Sequence, residues 1–140
     1  MSLAQSIEGQ LAVVLTCASE SLRPRCTPEE YDSELAAWLK RPLGRLVVEF
    51  CNSTNAPRDL TERLRECVTT RNRVAHRYLH ERSSEFQSSQ GRHNMIQELD
   101  RVTNRFDDLQ EYFIQLMARW VRCGVLTRET LAECISEQEA

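Results

Sequence analysis

Punctuation is scarce in this chain of 140 residues: it holds four glycines and four prolines, and no proline follows Pro57. Strand-and-turn architectures need far more turn residues than that, so the scarcity argues for helices. Long apolar runs are missing too. The longest aliphatic stretch covers residues 11–15, well short of the roughly 20 residues that span a bilayer. Glu8 stands ahead of it, where a signal peptide would carry positive charge. The expectation is a cytoplasmic protein with no membrane partner.

No C-x-x-C pair occurs among the six cysteines, whose closest spacing is Cys17 to Cys26. Zinc ribbons and dithiol redox motifs are thereby excluded, and free, mostly buried thiols are expected. No glycine-rich phosphate loop, serine nucleophile elbow or carboxylate pair stands out, and no cofactor is expected. Lysine is almost absent, since Lys40 is the single one among 18 basic residues. Arginine forks suit bidentate phosphate contacts, although arginine-rich codon usage explains the same ratio.

The net charge of −3 speaks against a protein that coats nucleic acid through a basic surface. Its distribution is uneven. Residues 58–82 hold seven arginines against four acids, a local +3 that leaves −6 for the rest.

Apolar spacing by threes and fours runs through the whole length and predicts an all-α, antiparallel up-and-down bundle forming one domain over residues 1–140. A first helix carries Ile7, Leu11, Val14, Leu15, Ala18 and Leu22 and ends around Pro24. Thr27-Pro28-Glu29-Glu30 has the form of a capping box and starts a helix through Tyr31, Leu35, Trp38 and Leu39. Pro42 restarts the chain with Leu43, Leu46, Val47 and Phe50. Asp59 with Glu62 is expected to cap a helix from about Leu60 into the low eighties. A loop is expected over residues 83–91, then a long helix with Met95, Leu99, Val102, Phe106, Leu109, Phe113, Leu116 and Trp120, closed by Gly124. Thr127 caps a last helix bearing Leu131 and Ile135. The stripe from Met95 to Trp120 is roughly 38 Å long, more than the shorter helices can cover, which points to a second copy.

At about 100° per residue, Leu60, Leu64, Cys67, Val68, Ala75 and Tyr78 share one face, with Arg71 near its middle. A guanidinium buried without a partner is prohibitively unfavourable, so Arg71 has to meet a carboxylate, carbonyls or a cleft that takes an anion. Beside this face lies a polar stripe of Arg65, Thr69, Asn72, His76 and His80, readable as a solvated shoulder or as a site. His76 and His80, four apart, suit a metal pair, but no third ligand or H-E-x-x-H glutamate accompanies them.

The run Arg71-Asn72-Arg73-Val74-Ala75-His76 reads R-N-x-x-x-H and resembles the signature of the HEPN superfamily, an arginine followed four to six residues later by histidine. Leu43-Gly44-Arg45-Leu46, the Asp59 helix, and Glu81-Arg82 through Phe86 to Gly91 look like the small stand-alone bacterial members. The resemblance implies a homodimer acting as a metal-independent endoribonuclease on RNA, in a toxin–antitoxin or defence setting, with a cleft at the dimer interface. It also implies catalytic roles for Arg71, Asn72 and His76; Arg65, Arg73, Arg77 and His80 beside them are candidate RNA-binding residues. His76-Arg77-Tyr78 resembles the form found in HEPN toxins paired with a nucleotidyltransferase antitoxin, where the tyrosine accepts adenylyl groups. The wheel gives Tyr78 a second reading, that of a core aromatic. The competing functional reading is a non-catalytic helical dimer that binds a protein or nucleotide.

Overall fold

The computed structural model describes residues 3–19 and 26–140, and among them every regular element is helical: α1 (Leu3–Cys17), α2 (Pro28–Leu39), α3 (Leu43–Thr54), α4 (Arg58–His76), α5 (Tyr78–Glu81), α6 (Ser83–Phe86), α7 (Ser89–Cys123) and α8 (Arg128–Glu139). The expected positions Leu22 and Pro24 lie outside the described residues.

The caps explain most boundaries. Thr27 accepts a hydrogen bond from the Glu30 amide at 3.1 Å with Pro28 in the first turn, so α2 starts where the sequence signal lies. Asn55 adopts a left-handed conformation (φ 50°) and stops α3, a position that asparagine tolerates. Ser88 accepts from the Gly91 amide at 2.9 Å and opens α7. Gly124, at φ 83°, closes it. Thr127 and Thr130 exchange side-chain-to-amide bonds at the head of α8.

One expected cap is corrected. Pro57, not Asp59, precedes α4, and Glu62 instead accepts from the Nε of Arg58, one turn back, at 2.9 Å.

The core gathers Ile7, Leu11, Val14 and Leu15 of α1, Leu43, Leu46, Val47 and Phe50 of α3, Leu60, Leu64 and Cys67 of α4, Phe106, Leu109, Phe113, Leu116 and Trp120 of α7, and Leu131, Cys134 and Ile135 of α8. α1 packs on α2, α3 and α7, while α8 lies against α7 and α3. Phe50 meets Phe113 edge to face at 5.5 Å, a favoured aromatic geometry. The indole N–H of Trp120 donates to Thr130 at 3.0 Å, tying α8 to α7.

α7 extends about 52 Å at 1.5 Å per residue. Met95, Phe106, Leu109, Phe113, Leu116 and Trp120 are buried along it, with Leu99 and Val102 half-buried. α2 differs from the other long helices. None of its residues is fully buried, and Leu39, expected on its inner face, is exposed.

The thiols are free, as their spacing implied, but only Cys67 and Cys134 are buried. Cys17, Cys26 and Cys51 are half-buried and Cys123 is exposed.

The segment after α4 departs most from expectation. Instead of one helix into the low eighties, the chain breaks at Arg77 (φ −132°, ψ −15°). Instead of a loop over residues 83–91, α6 forms and α7 begins at Ser89. Gly91 makes this turn feasible: a Cβ there would lie 1.9 Å from the carbonyl oxygen of Glu85. Its role is close approach between α6 and α7 rather than a turn conformation.

Candidate functional site

α4 carries nearly all the expected site residues and changes character along its length. Its buried residues are Leu60, Leu64 and Cys67. Past the half-buried Val68, Thr69 to His76 contain no buried residue, and Val74, Ala75 and His76 are exposed. Ala75, expected on the core face, therefore faces solvent. The second half of the helix extends past the packed interior.

Arg71 sits at the edge of this transition. Its side chain is 39 % exposed, with Nη2 at 4.0 Å from a carboxylate oxygen of Glu8 in α1. Nη1 donates to the Oδ1 of Asn72 at 3.2 Å. The arginine is neither sealed by acids nor free in bulk water. Its expected problem of burial is answered by partial exposure and a long ion pair.

Asn72 is exposed and held through its carbonyl by Arg71, which leaves its amide hydrogens available. His76 is exposed one turn further on. No hydrogen bond or ion pair joins it to Arg71 or Asn72 among the described residues. The three expected catalytic residues thus share a short surface segment, with two of them linked and the imidazole apart.

Arg65 and Thr69 line a shallow outer groove with Glu62, Glu66, Thr70 and Arg105. Arg77 is exposed at the helix break, where its backbone N–H donates to the Arg73 carbonyl at 2.9 Å. His80 is exposed on α5, beyond that break, so the i, i+4 spacing with His76 along one helix is lost. With it goes the geometric basis for a metal pair.

Tyr78 is buried at 4 % exposure. Its hydroxyl lies 3.3 Å from the Glu98 carboxylate and 3.4 Å from the carbonyl of Met95. Burial raises its pKa, and the charge of Glu98 adds to the rise. The phenol is closed to an incoming nucleotide while α5 stays docked on α7.

Glu98 of α7 is the residue that periodicity did not reveal. Arg82 donates to it twice, from Nε at 3.2 Å and from Nη2 at 3.1 Å, a two-point pairing. Arg73 reaches the same carboxylate at 3.4 Å and also donates to Glu81 at 3.0 Å. Hydrogen bonding from Arg82, with smaller contributions from Tyr78 and Arg73, holds the Glu98 pKa below its ordinary value. Both arginines lie about 6 Å from the Tyr78 ring centre, Arg73 at 5.9 Å and Arg82 at 5.8 Å. The one available sequence signal was an acid beside the Met95-Leu99-Val102 face, within reach of an arginine-rich helix.

A cleft of about 320 Å³ opens between α4 and α7. Cys67, Val102, Phe106 and Leu109 form its apolar base; Arg63, Glu66, Thr70, Arg105 and Asp108 form its rim. Arg71, Asn72 and His76 do not line it. Burial pushes the Cys67 thiol up to about 12, so no thiolate nucleophile is available there at neutral pH. Arg63 is occupied by Glu139 at 2.8 Å and by the Tyr112 ring. Among the described residues no ion pair holds Glu66, Arg105 or Asp108.

Compared with known protein families, curated proteins and solved structures, the chain matches none.

Proposed function

We propose that the chain is a metal-independent endoribonuclease of the HEPN type, working as a homodimer, with Arg71, Asn72 and His76 as its catalytic set. The observation that carries this reading is the state of Arg71. A guanidinium half-exposed, hydrogen-bonded to Asn72 and only 4.0 Å from a single acid keeps donors free for a phosphate oxygen. The R-N-x-x-x-H resemblance supplies the assignment of roles.

The chemistry follows from the side chains. His76 takes the ribose 2′-hydroxyl proton or returns one to the leaving oxygen. Arg71 holds the scissile phosphate and stabilises the charge that builds on it, while the Asn72 amide donates beside it. The product is a 2′,3′-cyclic phosphate.

Within one chain Arg71 and His76 stand about 140° apart around α4 and roughly 7.5 Å along it. A second copy therefore completes the set by presenting its own histidine. Unpaired charges of both signs, Arg105 against Glu66 and Asp108, ring an apolar cleft beside α4. A two-fold copy pairs them reciprocally.

The reading is tested by incubating purified protein with RNA in EDTA. Wild type is expected to cleave, and a folded His76→Ala variant to lose about a hundredfold or more in rate. Equal cleavage by the two rules out this site.

The second reading, a non-catalytic helical dimer that holds a protein or nucleotide partner, is favoured by a different observation. The α4–α7 cleft is apolar-based and does not include the R-N-x-x-x-H residues. Arg105→Glu separates the two, since it abolishes partner capture in the scaffold and, in the nuclease, acts only through dimerisation.

A further inference from the structure

The outer half of α4 has no apolar anchor. Thr69 to His76 span roughly 10 Å of helix without a buried side chain, so something other than the core must fix where Asn72 and His76 stand. Among the described residues of this stretch two are held from outside α4: Arg71, by a long ion pair at 4.0 Å to Glu8 of α1, and, more tightly, Arg73 nearer the helix end. Arg73 donates to Glu81 at 3.0 Å and lies 3.4 Å from Glu98. Glu98 also takes both donors of Arg82 and lies 3.3 Å from the Tyr78 hydroxyl, so it ties residues from both sides of the break at Arg77 to α7.

We propose that Glu98 is a positioning residue: by holding Arg73 before the break and Tyr78 and Arg82 after it, this one carboxylate fixes the last turns of α4 and hence the placement of Asn72 and His76. The inference rests on the reading of those two as site residues. Glu98 touches neither of them and works through Arg73. A free helix end frays within its final turn, and the last helical bond of α4, from the Arg77 amide to the Arg73 carbonyl at 2.9 Å, closes on the residue that Glu98 grips.

The test compares wild type with Glu98→Gln, which keeps the shape and removes the charge. Amide hydrogen exchange at residues 74–77 is expected to accelerate about tenfold, while residues 60–64 stay within about twofold of wild type. In the RNA-cleavage assay kcat is expected to fall about tenfold with KM within about twofold, the pattern of a group misplaced in the transition state. Arg73→Gln severs the ties of α4 to both Glu98 and Glu81, leaves Arg82 and Tyr78 on Glu98, and is expected to reproduce the local acceleration.

Unchanged exchange at residues 74–77 in Glu98→Gln overturns the proposal whatever Arg73→Gln shows, because Arg73 is also held by Glu81. So does an equal rise at residues 60–64, which makes Glu98 a brace for the whole domain, and so does local loosening with kcat unaltered. If wild type itself cleaves no RNA, the nuclease reading fails by that result alone, and the exchange comparison still decides whether Glu98 holds the segment.

Discussion

The two halves of α4 are built by different forces. Residues 58–68 place Leu60, Leu64 and Cys67 in the common core against α3 and α7. Residues 69–76 contain no fully buried residue and are tied to other elements by Arg71, at 4.0 Å from Glu8, and by Arg73, through Glu81 and Glu98. The first half is secured by apolar area, which charge screening does not weaken; the second is secured by half-exposed ion pairs, which ionic strength screens. A helix with one continuous hydrogen-bond ladder thus has a rigid root and an electrostatically steadied tip, and the candidate site lies on the tip.

That contrast can be broken at its root first. Leu64 is fully buried, and Leu64→Ala is expected to destabilise the fold by about 2–5 kcal/mol in denaturant unfolding. The matched truncation at the exposed Val74 is expected to stay within about 0.5 kcal/mol. Similar losses at the two positions would show that the halves are not distinct.

A smaller effect is expected where the tip's support turns back onto α7. Gly91→Ala forces a methyl group against the Glu85 carbonyl and should destabilise by about 1–3 kcal/mol. The loosening is expected to appear first as faster exchange in α6 and α7's opening turn.

Acid supplies the mildest probe. Because pairing lowers the folded-state pKa of Glu98 below its unfolded value, its contribution to stability is present above the unfolded value near 4.5 and is lost as pH falls through the folded one. Protection of the amides at residues 74–77, taken relative to their intrinsic exchange rates, should therefore fall below about pH 4.5 in wild type and change less with pH in Glu98→Gln. An identical acid response in the variant would remove Glu98 as its source.

Much of the architecture was written in short-range signals. Thr27, Pro42, Gly124 and Thr127 mark helix ends through chemistry that acts within one turn, and the observed ends follow them. The α7 stripe was legible because Phe106, Leu109, Phe113, Leu116 and Trp120 repeat at the helical period.

The region between Arg77 and Gly91 was not legible, since two facts there are tertiary. Tyr78 falls on the same wheel face as Leu60 and Leu64, so periodicity extends the helix through it. What fixes Tyr78 is its docking onto Met95 and Glu98, from a separate turn beyond the break. Gly91 and Ser88 look like turn residues locally, yet one permits two helices to touch and the other caps a helix. That Arg71, Asn72 and His76 lie on one helix followed from their spacing; that this stretch faces outward did not, because periodicity set Arg71 and Ala75 on the core face. The tie from Arg73 to Glu98 did not, because ion pairs between residues 25 apart leave no periodic trace.

α2 carries a consequence for how the protein comes apart. It rests on α1 through half-covered Tyr31, Leu35 and Trp38, buries no residue completely, and leaves the enclosed indole N–H of Trp38 without an acceptor. Lifting it away sacrifices little of the common interior, so α2 is expected to open more easily than α1, α3 or the central part of α7. Its amides are expected to exchange through local opening, and those of α1, α3 and the central part of α7 only when the entire bundle dissolves.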